Sequence, residues 1–157
     1  MKKLIFSLFL IPATFSAQKT VSRDAEIANY VSQVSADSLK SHINKLVSFG
    51  TRHTMSSTTD AKKGIGAARN WVLSKFKNYA KNADGRMEVF LQSQTIQPDG
   101  KRINQPTDLG NAIAILRGTD PNDKRIFMIG GHLDSRVSDV MNAKDFAPGA
   151  NDDGSGV

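Results

Sequence analysis

The spacing of apolar residues changes once along this chain, at Asp84-Gly85, and that change limits what it can fold into. Before it, Ile27, Tyr30, Val31 and Val34 fall at i, i+3, i+4 and i+7. Leu39, Ile43, Leu46 and Val47 repeat the spacing, and Ile65, Ala68, Val72, Phe76 and Tyr79 share a third face. A period near 3.6 predicts amphipathic helices. They are expected over residues 24–34, from a cap at Ser35 or Asp37 to Phe49-Gly50, and over 60–79. Gly64 and Gly66 weaken the first turn of the third. After Asp84-Gly85 the spacing becomes that of strands. Met87-Glu-Val-Phe-Leu-Gln92 is one, ended by a turn at Pro98-Asp99-Gly100, and Asn111-Ala-Ile-Ala-Ile-Leu116 is the next. Ile126-Phe-Met-Ile129 is apolar without alternation, the pattern of a strand buried on both faces. Helices followed by closely spaced strands give an α/β chain.

Size and charge exclude several classes. A chain of 157 residues suits one domain, or the front part of a larger one. At 39% apolar residues it is not disordered by composition. The formal charge of +6 comes from 21 basic residues that are scattered, with no run longer than two, so no nucleic-acid interface is expected. There is no cysteine. Disulfides, thiolate metal ligands and a thiol nucleophile are therefore excluded. At the start, Lys2-Lys3 precedes Leu4-Ile-Phe-Ser-Leu-Phe-Leu-Ile-Pro-Ala-Thr-Phe15 and Ser16-Ala17. A basic stretch, a short apolar run and a small-residue end make a secretory signal peptide over residues 1–17, with cleavage after Ala17. The run is shorter than the ~20 residues that span a bilayer, so an integral membrane protein is not expected. Residues 18–157 then form an exported protein, periplasmic or extracellular.

The chemistry-bearing residues are concentrated near the end. The third expected strand leads into Gly130-Gly-His132-Leu-Asp134-Ser135. Residues i and i+2 of a strand share a side. Asp134 can then fix the tautomer of His132 and leave the other ring nitrogen for a metal. Alone, an H-x-D pair is more often an ordinary surface pair. A second cluster, Ala147-Pro-Gly-Ala-Asn-Asp152-Asp153-Gly-Ser-Gly-Val157, adds two adjacent carboxylates among small residues, and a helix is expected to open at Ser155. Neighbouring carboxylates repel unless a cation or a donor lies between them. One histidine with hard oxygen donors suits zinc, and manganese or cobalt less often. A carboxylate shared by two ions suits a hydrolytic two-metal site. His42, in a helix, and His53, in a polar loop, are expected to be bystanders, His42 facing solvent.

Together, Gly130-Gly-His-Leu-Asp-Ser135 and Ala147-Pro-Gly-Ala-Asn-Asp-Asp-Gly-Ser-Gly-Val157 resemble the signature of family 28 metallopeptidases. Leu46-Val-Ser-Phe-Gly-Thr-Arg52, Ala67-Ala-Arg-Asn-Trp71 and Asn111-Ala-Ile-Ala agree with it. The resemblance implies a three-layer α/β/α fold with a mixed central sheet, here truncated. It also implies an exported aminopeptidase with two zinc ions acting on peptide substrates. In that family His132 corresponds to a zinc ligand and Asp152 to the aspartate bridging both metals. Asp134 corresponds to the active-site carboxylate behind the histidine, and Asp153 is joined to Asp152 by a cis peptide. The glutamate general base and the other ligands are expected beyond Val157. A carboxypeptidase, a glutaminyl cyclase, or a non-catalytic binding domain on the same scaffold are the alternatives.

Overall fold

The computed structural model of the protein describes residues 22–157, so the proposed signal segment and its cleavage site lie outside the described residues. The chain divides into two units, one ending at Val34 and one running from Ser35 to Val157. Among the described residues, the first unit holds helix α1, Ala25–Ser32. Asp24 caps it by accepting from the amides of Glu26 and Ile27 at 2.8 and 3.2 Å. One turn on, Tyr30 donates to Glu26 at 2.8 Å. No helix among the described residues is long and apolar enough to cross a membrane.

The second unit begins with α2, Ala36–Ser48, capped by Ser35, whose hydroxyl accepts from the Ser38 amide at 3.2 Å. Helix α3 is Gly64–Ala80. It starts four residues later than the spacing predicts, because residues 57–63 hydrogen-bond locally instead. Ser57 accepts from the Asp60 amide, and Asp60 accepts from those of Lys62 and Lys63. The glycines at its start are demanded by packing. A Cβ on Gly66 would come 2.4 Å from the Thr58 carbonyl oxygen, so only glycine lets the helix lie this close to the loop.

Strands β1, Met87–Ile96, and β2, Thr107–Leu116, pair antiparallel with Leu91 opposite Ala112. Both run longer than expected, extending toward the Pro98-Asp99-Gly100 turn. There the Asp99 carboxylate accepts from the amides of Lys101, Arg102 and Ile103. Helix α3 packs against both strands. Arg69, almost fully buried, fixes the contact by donating to the backbone and carboxylate of Asp108, each at 3.1 Å. Leu46, Phe49, Ala67, Ala68 and Val72 form the core, with Trp71, Phe76, Ala112 and Leu133 packed around it. Helices with a two-stranded antiparallel sheet make this a small α/β piece, the class read from the sequence.

Two local expectations are corrected. Residues 126–129 form no strand and are 84–99% exposed. A strand needs a neighbour to take its backbone hydrogen bonds and a surface to cover its side chains. No described element offers either to this segment. His42 is half-buried rather than turned to solvent, its ring edge-on to Trp71 at 5.5 Å.

Candidate metal centre

Leu133 sets the direction of the segment that carries the site. Its side chain packs on the core, while His132 and Asp134 on either side of it meet each other. His132 Nδ1 lies 3.2 Å from Asp134 Oδ1. The second carboxylate pair comes from a five-residue π-type turn, Ala150–Gly154, in place of a helix opening at Ser155. Asp152 and Asp153 have non-helical backbone angles, and the peptide between them is cis. The turn is closed by the Gly154 amide donating to the Gly149 carbonyl at 2.9 Å.

The two segments meet at the imidazole. His132 Nε2 is 3.1 Å from Asp152 Oδ1 and 3.8 Å from Asp153 Oδ2. The His132 backbone amide donates to Asp153 Oδ2 at 3.1 Å. Burial lowers the pKa of the ring, but the hydrogen bond to Asp134 and the charges of Asp134, Asp153 and Asp152 outweigh it. The net shift is upward from the ordinary histidine value.

The residues present fit part of a metal site. Two donors on one tetrahedral ion at ordinary bond lengths stand about 3.4 Å apart. The Nε2–Oδ1 separation of 3.1 Å is close to that. Asp134 occupies the other ring nitrogen, the arrangement that fixes a ligand histidine. The Asp152 side chain is 91% exposed, so its oxygens are open to an incoming cation. Among the described residues, no group of three or more His, Asp or Glu side chains is gathered as a full metal cage.

The other histidine of interest stands elsewhere. His53 is 5% exposed and fully used in structure. Its Nδ1 accepts from the Met55 amide at 3.0 Å, so Nε2 carries the proton and donates to the Val140 carbonyl at 3.1 Å.

The residues whose importance the sequence concealed are Arg52 and Ser135. Arg52 is completely buried, and its side chain donates only to carbonyls. Its partners are Leu133 from Nε at 2.8 Å, Leu46 and Pro148 from Nη1 at 3.1 and 2.7 Å, and Gly149 from Nη2 at 2.9 Å. Burial lowers the pKa of its guanidinium, and the charge of Asp134 works against that. Ser135 accepts from the Arg52 amide at 3.0 Å and donates to the Ala147 carbonyl at 2.6 Å. Both residues stand inside the quoted motifs. An arginine in a polar stretch gives no sign, however, that its side chain will make four hydrogen bonds to backbone, three of them far away in sequence.

Comparison with known proteins gives one family. The model of peptidase family M28 matches residues 111–157. A protein of Leptosphaeria maculans named probable zinc metalloprotease is 45% identical over 134 residues, 85% of this chain and 31% of its own length. One of the same name in Pyricularia oryzae is 45% identical over 134 residues, 85% of this chain and 26% of its own length. A probable leucine aminopeptidase of Arthroderma benhamiae is 27% identical over 145 residues, covering 92% of this chain and 34% of that protein. The chain therefore spans about a third, or less, of the length of these relatives. No solved structure shows a significant match. The family match lies on the strand and loops that carry His132, Asp134 and Asp152, and the metalloprotease likeness runs over most of the chain, so the chain belongs to peptidase family M28.

Proposed function

We propose that this chain is part of a zinc-dependent peptidase that removes residues from the amino terminus of peptides, using two zinc ions in the whole protein. The observation that carries it is the geometry at His132, with Nε2 3.1 Å from Asp152 Oδ1 and Asp134 held against Nδ1. Membership in family M28 and relatives named for zinc proteolysis support it. The aminopeptidase assignment takes its support from one relative, the probable leucine aminopeptidase of Arthroderma benhamiae.

In this proposal His132 and Asp152 would hold the zinc, with Asp152 offering both carboxylate oxygens to it. Asp134 keeps Nδ1 of the imidazole protonated, so Nε2 presents its lone pair outward. When bound, zinc supplies Lewis-acid polarisation of the scissile carbonyl and lowers the pKa of water. Residues 1–17 are proposed to direct export and to be removed after Ala17; N-terminal sequencing of the exported product beginning near Gln18 tests that.

Hydrolysis of an aminoacyl-nitroanilide by the whole protein tests the activity. The rate is expected to vanish with chelator and return with zinc. A chelator-resistant rate, or cleavage confined to carboxy-terminal residues, would overturn the proposal.

A further inference from the structure

The donors His132 and Asp152 lie twenty residues apart, on segments that share little backbone hydrogen bonding. What joins those segments is a buried clasp made by Arg52 and Ser135. The guanidinium reaches the carbonyl of Leu133, the residue between His132 and Asp134. It also reaches the carbonyls of Pro148 and Gly149, which lead into the Asp152 turn. Ser135, two residues beyond Leu133, bonds the Ala147 carbonyl and receives the Arg52 amide. A third anchor, the Leu46 carbonyl, ties the clasp to the end of α2 and to the core.

The chemistry of this clasp is unusual for a residue kept only for stability. A buried cation is costly unless its charge is answered and its donors are satisfied. Among the described residues Arg52 makes no salt bridge to a carboxylate; its side chain is answered by four carbonyl dipoles from three segments. A planar guanidinium fixes the directions of its partners as well as their distances, which an ammonium does not. Room for it is reserved in the fold. A Cβ on Gly149 would come 2.9 Å from Arg52 Nη2 and 2.4 Å from Ser135 Cβ.

We propose that Arg52 and Ser135 are positioning residues for the metal centre, setting the distance between His132 Nε2 and Asp152 Oδ1. The proposal rests on the assignment of those two atoms as zinc donors. Arg52 touches neither donor; it acts on them through the backbone on either side.

The test is carried out on the 157-residue chain by NMR, comparing wild type with Arg52→Met, Arg52→Lys and Ser135→Ala. Contacts between His132 ring protons and the β-protons of Asp152 and Asp153 report the position directly, without metal. They are expected in wild type and lost in Arg52→Met, while contacts between β1 and β2 and within α3 persist. The apparent zinc affinity read from His132 resonances should fall at least tenfold in Arg52→Met. Arg52→Lys should not restore it, since a lysine lacks the planar fork. A folded Arg52→Met chain that keeps the ring contacts and the affinity overturns the proposal. If Arg52→Met loses the hairpin as well, Ser135→Ala decides. Weakened His132–Asp152 contacts with an intact hairpin support the clasp, and unchanged contacts overturn it. His132→Ala separates the two ideas. If zinc shifts the Asp152 and Asp153 resonances in that variant as it does in wild type, the zinc assignment fails, while the ring contacts of the Arg52 and Ser135 variants still judge the clasp.

Discussion

Leu133 gives its carbonyl to Arg52 Nε at 2.8 Å while its side chain packs on the core, so the residue between His132 and Asp134 is held by both backbone and side chain. The candidate site is thus anchored one residue away from both His132 and Asp134. Its rigidity comes from a buried guanidinium and a hydrophobic core.

Removing the two groups around the imidazole should have unequal effects in the whole protein. His132→Ala takes away a proposed metal donor and should abolish measurable hydrolysis. Asp134→Asn keeps the donor but loosens its orientation, and a reduction of about 10–100-fold in activity or metal affinity is expected. Steady-state rates beside zinc content per chain check both. Full activity in either variant would reject the assigned roles.

The surrounding carboxylates give His132 a definite pH behaviour in the metal-free chain. Its pKa is raised above the ordinary histidine value of 6.5. The charged ring therefore favours the folded state fully below about 6.5, and that contribution is lost as pH rises through the higher folded value. Zinc needs the neutral ring, so its binding should strengthen over that same rise. An NMR titration of the ring should place its midpoint above 6.5. A midpoint below it would show that burial outweighs the three carboxylates.

Gly149→Ala should disturb the site from a position that binds nothing. Gly149 has φ +49°, and an added Cβ would come 2.4 Å from Ser135 Cβ and 2.6 Å from the Asp152 carbonyl oxygen. Overpacking of this kind costs about 1–3 kcal/mol. Urea denaturation of the 157-residue chain should show a lowered midpoint, with weaker contacts between His132 and Asp152 in the same variant. An unchanged midpoint would mean that the turn relaxes freely.

Leu46→Ala tests the core on which the site rests. Leu46 is 1% exposed and belongs to the cluster that holds Leu133. A loss of about 2–5 kcal/mol in unfolding free energy is expected for truncating such a residue. Chemical denaturation measures it, and a loss under about 1 kcal/mol would show that the cluster is not the core of this unit.

Much of this was legible in order along the chain. The 3.6-residue spacing located three helices, and both strands of the hairpin were placed by alternation and a turn. The pairing of His132 with Asp134 followed from their separation by two. Two features were not legible. The start of α3 moved because Ser57 and Asp60 satisfy amides that a longer helix would have used. Residues 126–129 read as a buried strand because they are apolar, but apolarity states only that burial would be favourable. Burial also requires a partner surface, and with Ile129 99% exposed none is present among the described residues.

The sequence alone determined the α/β class, the family resemblance and which residues are proposed as donors, since each of these depends on residue type and short spacing. Only the tertiary structure decided that Asp152 meets His132 at 3.1 Å, because that distance joins residues twenty apart on segments that both hydrogen-bond to the buried Arg52. A guanidinium in a sequence carries five donors and no direction. Direction arises when a folded core excludes water and leaves it only carbonyls to bond.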